Sequence, residues 1–347
     1  MDLNRPGQRG ILLGLAAAVT FGISAPLAKV LLDHTDPVML AGLLYLGAFA
    51  ALALVGRRDR SEARLRRTDA PRVTLLVVSG GVLAPVLLLV GLERVSGTSG
   101  SLLLNLEGPF TIAIGLALFG EHLSRRALLG AALIFGGAVT LGLGTGATRA
   151  DWVGIALVAG ACACWALDNN LTQSLTLRDP RTIVLLKCGV AGACNLALAL
   201  TIGEHFPAIA YLAAALALGA VSYGISILLD AHALRILGAA REAAVFAVAP
   251  FIGALLAPFV LPESIGVGEL IAGALMAIGI TFLLRERHDH LHRHEVLVHD
   301  HRHVHDDHHR HEHPDGEPSE PHSHVHRHEE LAHTHPHVSD VHHRHPH

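Results

Sequence analysis

Charge is what this sequence has least of for its size. Of 347 residues only 16% are Asp, Glu, Lys or Arg, while 51% are apolar, and the formal net charge is −4. A soluble chain of this length needs far more charge on its surface, so a water-soluble domain is excluded. Lysine occurs only as Lys29 and Lys187, which leaves arginine to carry the positive charge. With abundant Ala, Leu and Gly, that scarcity points to a GC-rich bacterial genome. The four cysteines, Cys162, Cys164, Cys188 and Cys194, sit in apolar runs and none has C-x-x-C spacing. A disulfide framework and a zinc ribbon are therefore excluded, and the cysteines read as small packed residues. There is no serine–histidine or H-E-x-x-H constellation and no phosphate loop, so neither an enzyme nor a required cofactor is expected. No nucleic-acid partner is expected either.

What is there is apolar length. A helix needs roughly 20 apolar residues to cross the hydrocarbon core. Ten segments qualify, near 10–32, 36–56, 72–92, 98–119, 124–145, 152–173, 182–203, 207–229, 238–261 and 265–284. Arg5 and Arg9 precede the first, which is longer than a signal-peptide core and lacks a cleavage site, so it reads as a span. The fold class is all-α: ten transmembrane helices in a lipid bilayer, followed by a polar tail. Arginines fix the orientation. Seven lie between Arg57 and Arg72, and with Arg5, Arg9, Arg125, Arg126, Arg178, Arg181, Arg235, Arg241 and Arg285 they share one side. Only Arg94 and Arg149 fall on the other. Both termini are therefore expected in the cytoplasm.

The chain repeats itself. Pro250-Phe251 returns Pro109-Phe110, Pro262-Glu263 stands where Gly120-Glu121 stood, and Ala272-Gly273-Ala274-Leu275 echoes Leu129-Gly130-Ala131-Ala132. Gly10-Ile11 matches Gly154-Ile155, and Phe21 matches Trp165. The division is a short N-terminus at 1–9, a first five-helix repeat at 10–145, a linker at 146–151, a second repeat at 152–285 and the tail at 286–347. Five is odd, so the two repeats are inverted, an arrangement of secondary transporters whose substrate site lies between the halves. Two five-helix halves, each with Pro, then Glu, then an apolar span carrying Gly, resemble the EamA family of the drug/metabolite transporter superfamily. Pro109, Glu121 and Gly130 carry the resemblance in the first half, and Pro250, Glu263 and Gly273 in the second. It covers about residues 10 to 285 and implies ten helices around a central cavity, with export or exchange of small solutes.

Ionisable groups inside a span are costly and mark a pathway or a paired contact. Glu107 enters from the outer side to a depth of roughly 14 Å, near the centre. Asn105, two residues away, points elsewhere on a regular helix, so the carboxylate is the group expected to face the cavity. Pro109 removes a backbone donor there, which is tolerated where a cavity is lined. The matching positions of the second half are Phe246 and Val248, so binding should be asymmetric. Asp168, Asn169 and Asn170 follow Trp165 in the sixth span. Lys187 lies roughly 8 Å deep in the seventh, at the depth of Asp168, so the two should form an ion pair. Asn195 lies about 80° round the helix from Lys187 and can share a wide cavity with it. Tyr223 is a packing residue or a cavity wall. Asp230, His232 and Glu242 read as solvated residues at the cytoplasmic mouth, and Lys29 as snorkelling to the outer surface.

The tail holds 23 of the 27 histidines and is a duplication at an interval of 34. In module 288–313, His288, His290, His292, His294, His299, His301, His303, His308, His309, His311 and His313 match His322, His324, His326, His328, His333, His335, His337, His342, His343, His345 and His347 of module 322–347. Only His305 has no counterpart, standing opposite Ser339. Alternating HxH and neutral imidazole suit Zn, Ni, Co or Cu. With too little apolar content for a core, the tail is expected to be disordered without metal.

Three functions follow. The first is a secondary transporter in the bacterial cytoplasmic membrane, moving a small solute by alternating access, coupled to protons through Glu107, with a metal-binding tail. In the second, the tail collects a divalent metal ion that is itself the substrate. The third is a membrane-anchored metal buffer or sensor, which leaves the inverted halves unexplained. A homodimer stays open.

Overall fold

The computed structural model describes residues 6–54, 64–119, 125–144, 151–175, 178–237 and 239–284, and in the tail 291–294, 297–303, 322–328 and 331–334. Among the described residues, nine stretches are long and apolar enough to cross a membrane. A shorter apolar helix, Ala249–Val260, completes the set of ten.

Several spans are interrupted, and proline explains most of the breaks. Each proline leaves the carbonyl four residues earlier without its helical donor. The first span runs Pro6–Gly22 and Ser24–Leu32, with Pro26 just past the break. In the fourth, Gly97–Leu103 tightens into a 3₁₀ turn at Leu104–Leu106 before Glu107–Phe119, and Pro109 lacks the N–H that the Asn105 carbonyl would take. The ninth span, expected as one helix over 238–261, is two: Ala239–Phe246 and Ala249–Val260, parted just before Pro250. The two breaks fall at matching places in the two repeats. Matching also are the third and eighth spans, which both widen into a π turn, at Val77–Leu83 and at Ala220–Ile225. Such insertions recur at functional sites.

The second span (Pro37–Leu54) packs along the seventh (Pro180–Thr201), and the fifth (Arg125–Leu143) along the tenth (Val267–Leu284). The first packs on the eighth (Ile209–Leu237 overall) and the third on the sixth (Trp152–Ser174), a reciprocal exchange between halves. Glycines permit these approaches. A Cβ on Gly47 would meet the backbone of Leu216, one on Gly219 the backbone of Leu44, and one on Gly22 the carbonyl of Ala249. Small residues that let backbones approach are what hold helices together in lipid.

The end of the bundle where residue 6 lies is called proximal here, and the other end distal. At the distal end Glu204 accepts from the N–H groups of Val38 and Met39 (3.4 and 2.6 Å). There too the half-buried Lys29 donates from its ammonium to the Leu92 carbonyl at 2.6 Å, at the distal end of the third span, tying the first span to the third. At the proximal end Arg178 donates to Asp69 at 2.9 Å, and Arg181 to the Leu52 carbonyl at 2.8 Å.

In the tail, Leu291–His294 (β1) pairs antiparallel with Leu331–Thr334 (β4), and Leu297–His303 (β2) with His322–His328 (β3). The HxH alternation has the period of two that suits a strand. Thirteen of the histidines singled out above lie outside the described residues: His288, His290, His305, His308, His309, His311, His313, His335, His337, His342, His343, His345 and His347.

Candidate functional site

The sixth span supplies the site through three consecutive residues that reach three neighbours. Asp168, buried, forms an ion pair with Lys187 of the seventh span, as its depth predicts. Asn169 donates to Glu107 of the fourth span at 2.6 Å. Asn170, buried, donates to the Thr111 carbonyl at 3.1 Å and to the Ala166 carbonyl of its own helix at 2.8 Å. Steps of about 100° along a helix turn adjacent side chains to different neighbours. Glu107 is half-buried and Asn169 exposed, so this pair borders open space rather than the packed interior.

The third span makes room for Asp168. A Cβ on Gly80 would fall on the Asp168 carboxylate itself, so glycine is required there. Nearby, Pro85 offers no N–H to the Gly81 carbonyl, and in the π turn Ala84 donates to Ser79 rather than to Gly80. Two carbonyls are thereby left to side chains. Gly80 accepts from the Tyr45 hydroxyl at 2.7 Å and the Trp165 indole at 3.1 Å, and Gly81 accepts from Asn195 at 3.2 Å. Asn195 is therefore held inside the packing, not beside Lys187 in a shared space. Asn105 is likewise turned inward, donating to the Leu102 carbonyl at 2.8 Å with Met276 Sδ at 3.7 Å. Pro109 is buried, and Tyr223 is buried against Phe21 and Tyr45 at ring separations of 6.0 and 5.7 Å.

Two residues read from sequence as solvated belong to this neighbourhood. Glu242 is buried, its Oε1 without a partner, beside Asp230. Asp230 is in turn within electrostatic reach of Glu107, as are Asp168 and Lys187. Their position near a span end hid them, because depth counted along one helix ignores what its neighbours cover. Tyr45, Gly80 and Trp165 were also missed, although Pro85 inside an apolar run announces carbonyls in need of donors. Among the described side chains the resulting set is four carboxyls against one ammonium, which suits a cationic group or a proton more than an anion. Among the described residues, no three His, Cys, Asp or Glu side chains converge as a metal site.

Paired interrupted helices, a buried ion pair between spans and a half-open carboxylate define a multi-pass membrane transporter. The comparisons agree. The model of the EamA-like transporter family matches residues 8–143 and again 152–285, so the chain belongs to that family, one of transporters and not of enzymes. A protein of Methanothermobacter thermautotrophicus described as an uncharacterized transporter is 32% identical over 294 residues, 78% of this chain and 84% of its own length. A protein of Salmonella typhimurium described as a "probable amino-acid metabolite efflux pump" is 30% identical over 182 residues, 50% of this chain and 56% of the relative. One from Escherichia coli with the same description is 29% identical over the same extent. A crystal structure with 21% identity superimposes at a TM-score of 0.59, covering 80% of this chain and 97% of the other, a likeness of fold alone.

Proposed function

We propose that this protein exports a small organic solute bearing an ammonium group, of the amino-acid metabolite class, across the bacterial cytoplasmic membrane. Both termini face the cytoplasm, on the arginine distribution. The observation that carries the reading is the Asp168–Lys187 pair with Glu107 and Asn169 beside it. A solute with an ammonium and a carboxylate can replace each partner's counter-ion in turn, so that neither buried charge is left alone as the solute passes. The excess of carboxyls favours the ammonium end, and Glu107 is the group through which protons couple. The names of the shorter-matching relatives support the solute class.

A second reading, in which a divalent transition metal is moved, draws support from the tail. The strand register sets His299 opposite His326, His301 opposite His324, and His303 opposite His322. Under either reading the tail binds such ions at the cytoplasmic surface. The test is flux into proteoliposomes holding the full chain, comparing radiolabelled neutral amino acids with zinc, nickel and cobalt. Amino-acid flux that Asp168→Asn abolishes, with metal flux at background, is the expected outcome. Metal flux that Glu107→Gln abolishes overturns it in favour of the second reading.

A further inference from the structure

We infer that Glu263 is the positioning residue that holds the distal mouth of the pathway shut. The inference rests on the alternating-access reading above but on residues outside the Asp168 site.

The start of the fourth span has leftover donors, since the first N–H groups of a helix have no partner within it. Ser96 caps locally by accepting from the Ser99 N–H at 2.9 Å. The N–H groups that remain turn to the other half of the chain. Gly97 donates to both oxygens of Glu263, at 2.9 and 2.8 Å, and Thr98 donates to Oε2 at 3.4 Å. A carboxylate at the positive end of a helix is favoured by the peptide dipoles as well.

Its neighbours fit the same role. Buried Glu269 accepts from the hydroxyls of Ser96 (3.2 Å) and Ser99 (3.3 Å) and from the Gly266 N–H at 2.7 Å. The connection between the ninth and tenth spans is thus tied to the fourth by two carboxylates. Lys29 lies within electrostatic reach of Glu263 and adds an attractive charge. A Cβ at position 97 would run into the end of the Leu261 side chain, so a larger residue there displaces Leu261. Deeper in, a Cβ on Gly253 would meet the Gly22 carbonyl and Ser101.

The seal is one-sided. The distal parts of the two broken spans, Gly97–Leu103 and Ala249–Val260, pack on each other. The proximal parts go elsewhere: Glu107–Phe119 lies on the sixth span, and Ala239–Phe246 on the first and eighth. Glu263 sits at the rim, half-buried, where water can take over the freed N–H groups when the contact breaks. A tie that strong and that accessible holds one state without locking the protein in it.

The test uses the full chain in proteoliposomes, with the four native cysteines changed to serine and Ser101→Cys introduced as a reporter beneath the seal. Glu263→Gln keeps the shape and loses the charge, and should raise the labelling rate of Cys at 101 by a distal-side, membrane-impermeant maleimide about tenfold. Gly97→Ala, which pushes Leu261 away and sets a methyl against the Glu263 carboxylate without changing its charge, should raise it too. An unchanged labelling rate in both variants, with only the melting temperature lowered, makes Glu263 a mere helix cap and overturns the inference. Labelling needs no substrate, so absent flux in the parent protein would count against the transport reading and leave this result standing.

Discussion

The two repeats share a backbone plan and fill it with opposite chemistry. At the π turns, Val78-Ser79-Gly80-Gly81-Val82 of the third span corresponds to Val221-Ser222-Tyr223-Gly224-Ile225 of the eighth. Where the first half leaves Gly80 bare, Asp168 fills the space. Where the second half places Tyr223, the ring fills it, bonded to Ser24. Ser24 stands at the counterpart of Asp168, Phe21 at that of Trp165, and Leu44 at that of Lys187. One side is charged and hydrogen-bonded, the other is a cluster of edge-on and tilted rings, Phe21, Tyr223, Tyr45 and Phe246. A duplicated frame thus yields a polarised site through a handful of side chains.

The largest effect should come from breaking the charged side. Lys187→Met leaves the buried Asp168 unpaired, at a cost of about 3–5 kcal/mol, and abolishes flux. Adding Asp168→Leu should restore the melting temperature while flux stays absent. A transporting double variant would reduce the pair to a helix fastener, no different in kind from its aromatic counterpart.

A smaller effect tests whether the missing side chain at position 80 is what separates the halves. Gly80→Ala forces Asp168 aside, with a stability cost of about 1–3 kcal/mol and flux lost along with the displaced carboxylate. In the aromatic half, Gly224→Ala has the Ala48 backbone and the Ala51 methyl as its nearest neighbours, just over 3 Å away, and should keep most of its flux. Equal losses of flux at both positions would erase the distinction.

The smallest concerns the helix starts. The seventh span begins at Pro180 with its own cap, Asp179, whose side chain accepts from the Arg181 N–H at 3.1 Å. The second begins at Pro37, after the matching Asp36, yet Val38 and Met39 take their acceptor from distant Glu204. Burial holds the Glu204 carboxyl above its usual range, outweighing the two N–H donors. Its protonated form is therefore relatively favoured in the folded state, and stability should fall slightly as pH rises through the carboxylate range. Melting temperatures across that range should slope for the parent and flatten for Glu204→Gln.

Much of this was legible in residue order. The ten spans, the inversion and the Asp168–Lys187 pair follow from apolar length, odd helix number and equal depth. The exchange of partners between halves was not, because period and depth describe one helix at a time. Asn195 shows the limit: its angle from Lys187 suggested a shared cavity, but a proline on another span had already claimed its amide. Glu242 shows the converse, since a charge near a span end looks solvated until the neighbouring helices are placed over it.

Pro85 carries one more consequence, for assembly. It strips the Gly81 carbonyl of its helical donor, and that carbonyl is served by Asn195, a residue synthesised more than a hundred positions later. In hydrocarbon an unserved carbonyl costs several kcal/mol. The first five helices therefore emerge from the ribosome with a debt that only the seventh span discharges, and fusion into one polypeptide guarantees that the creditor always arrives.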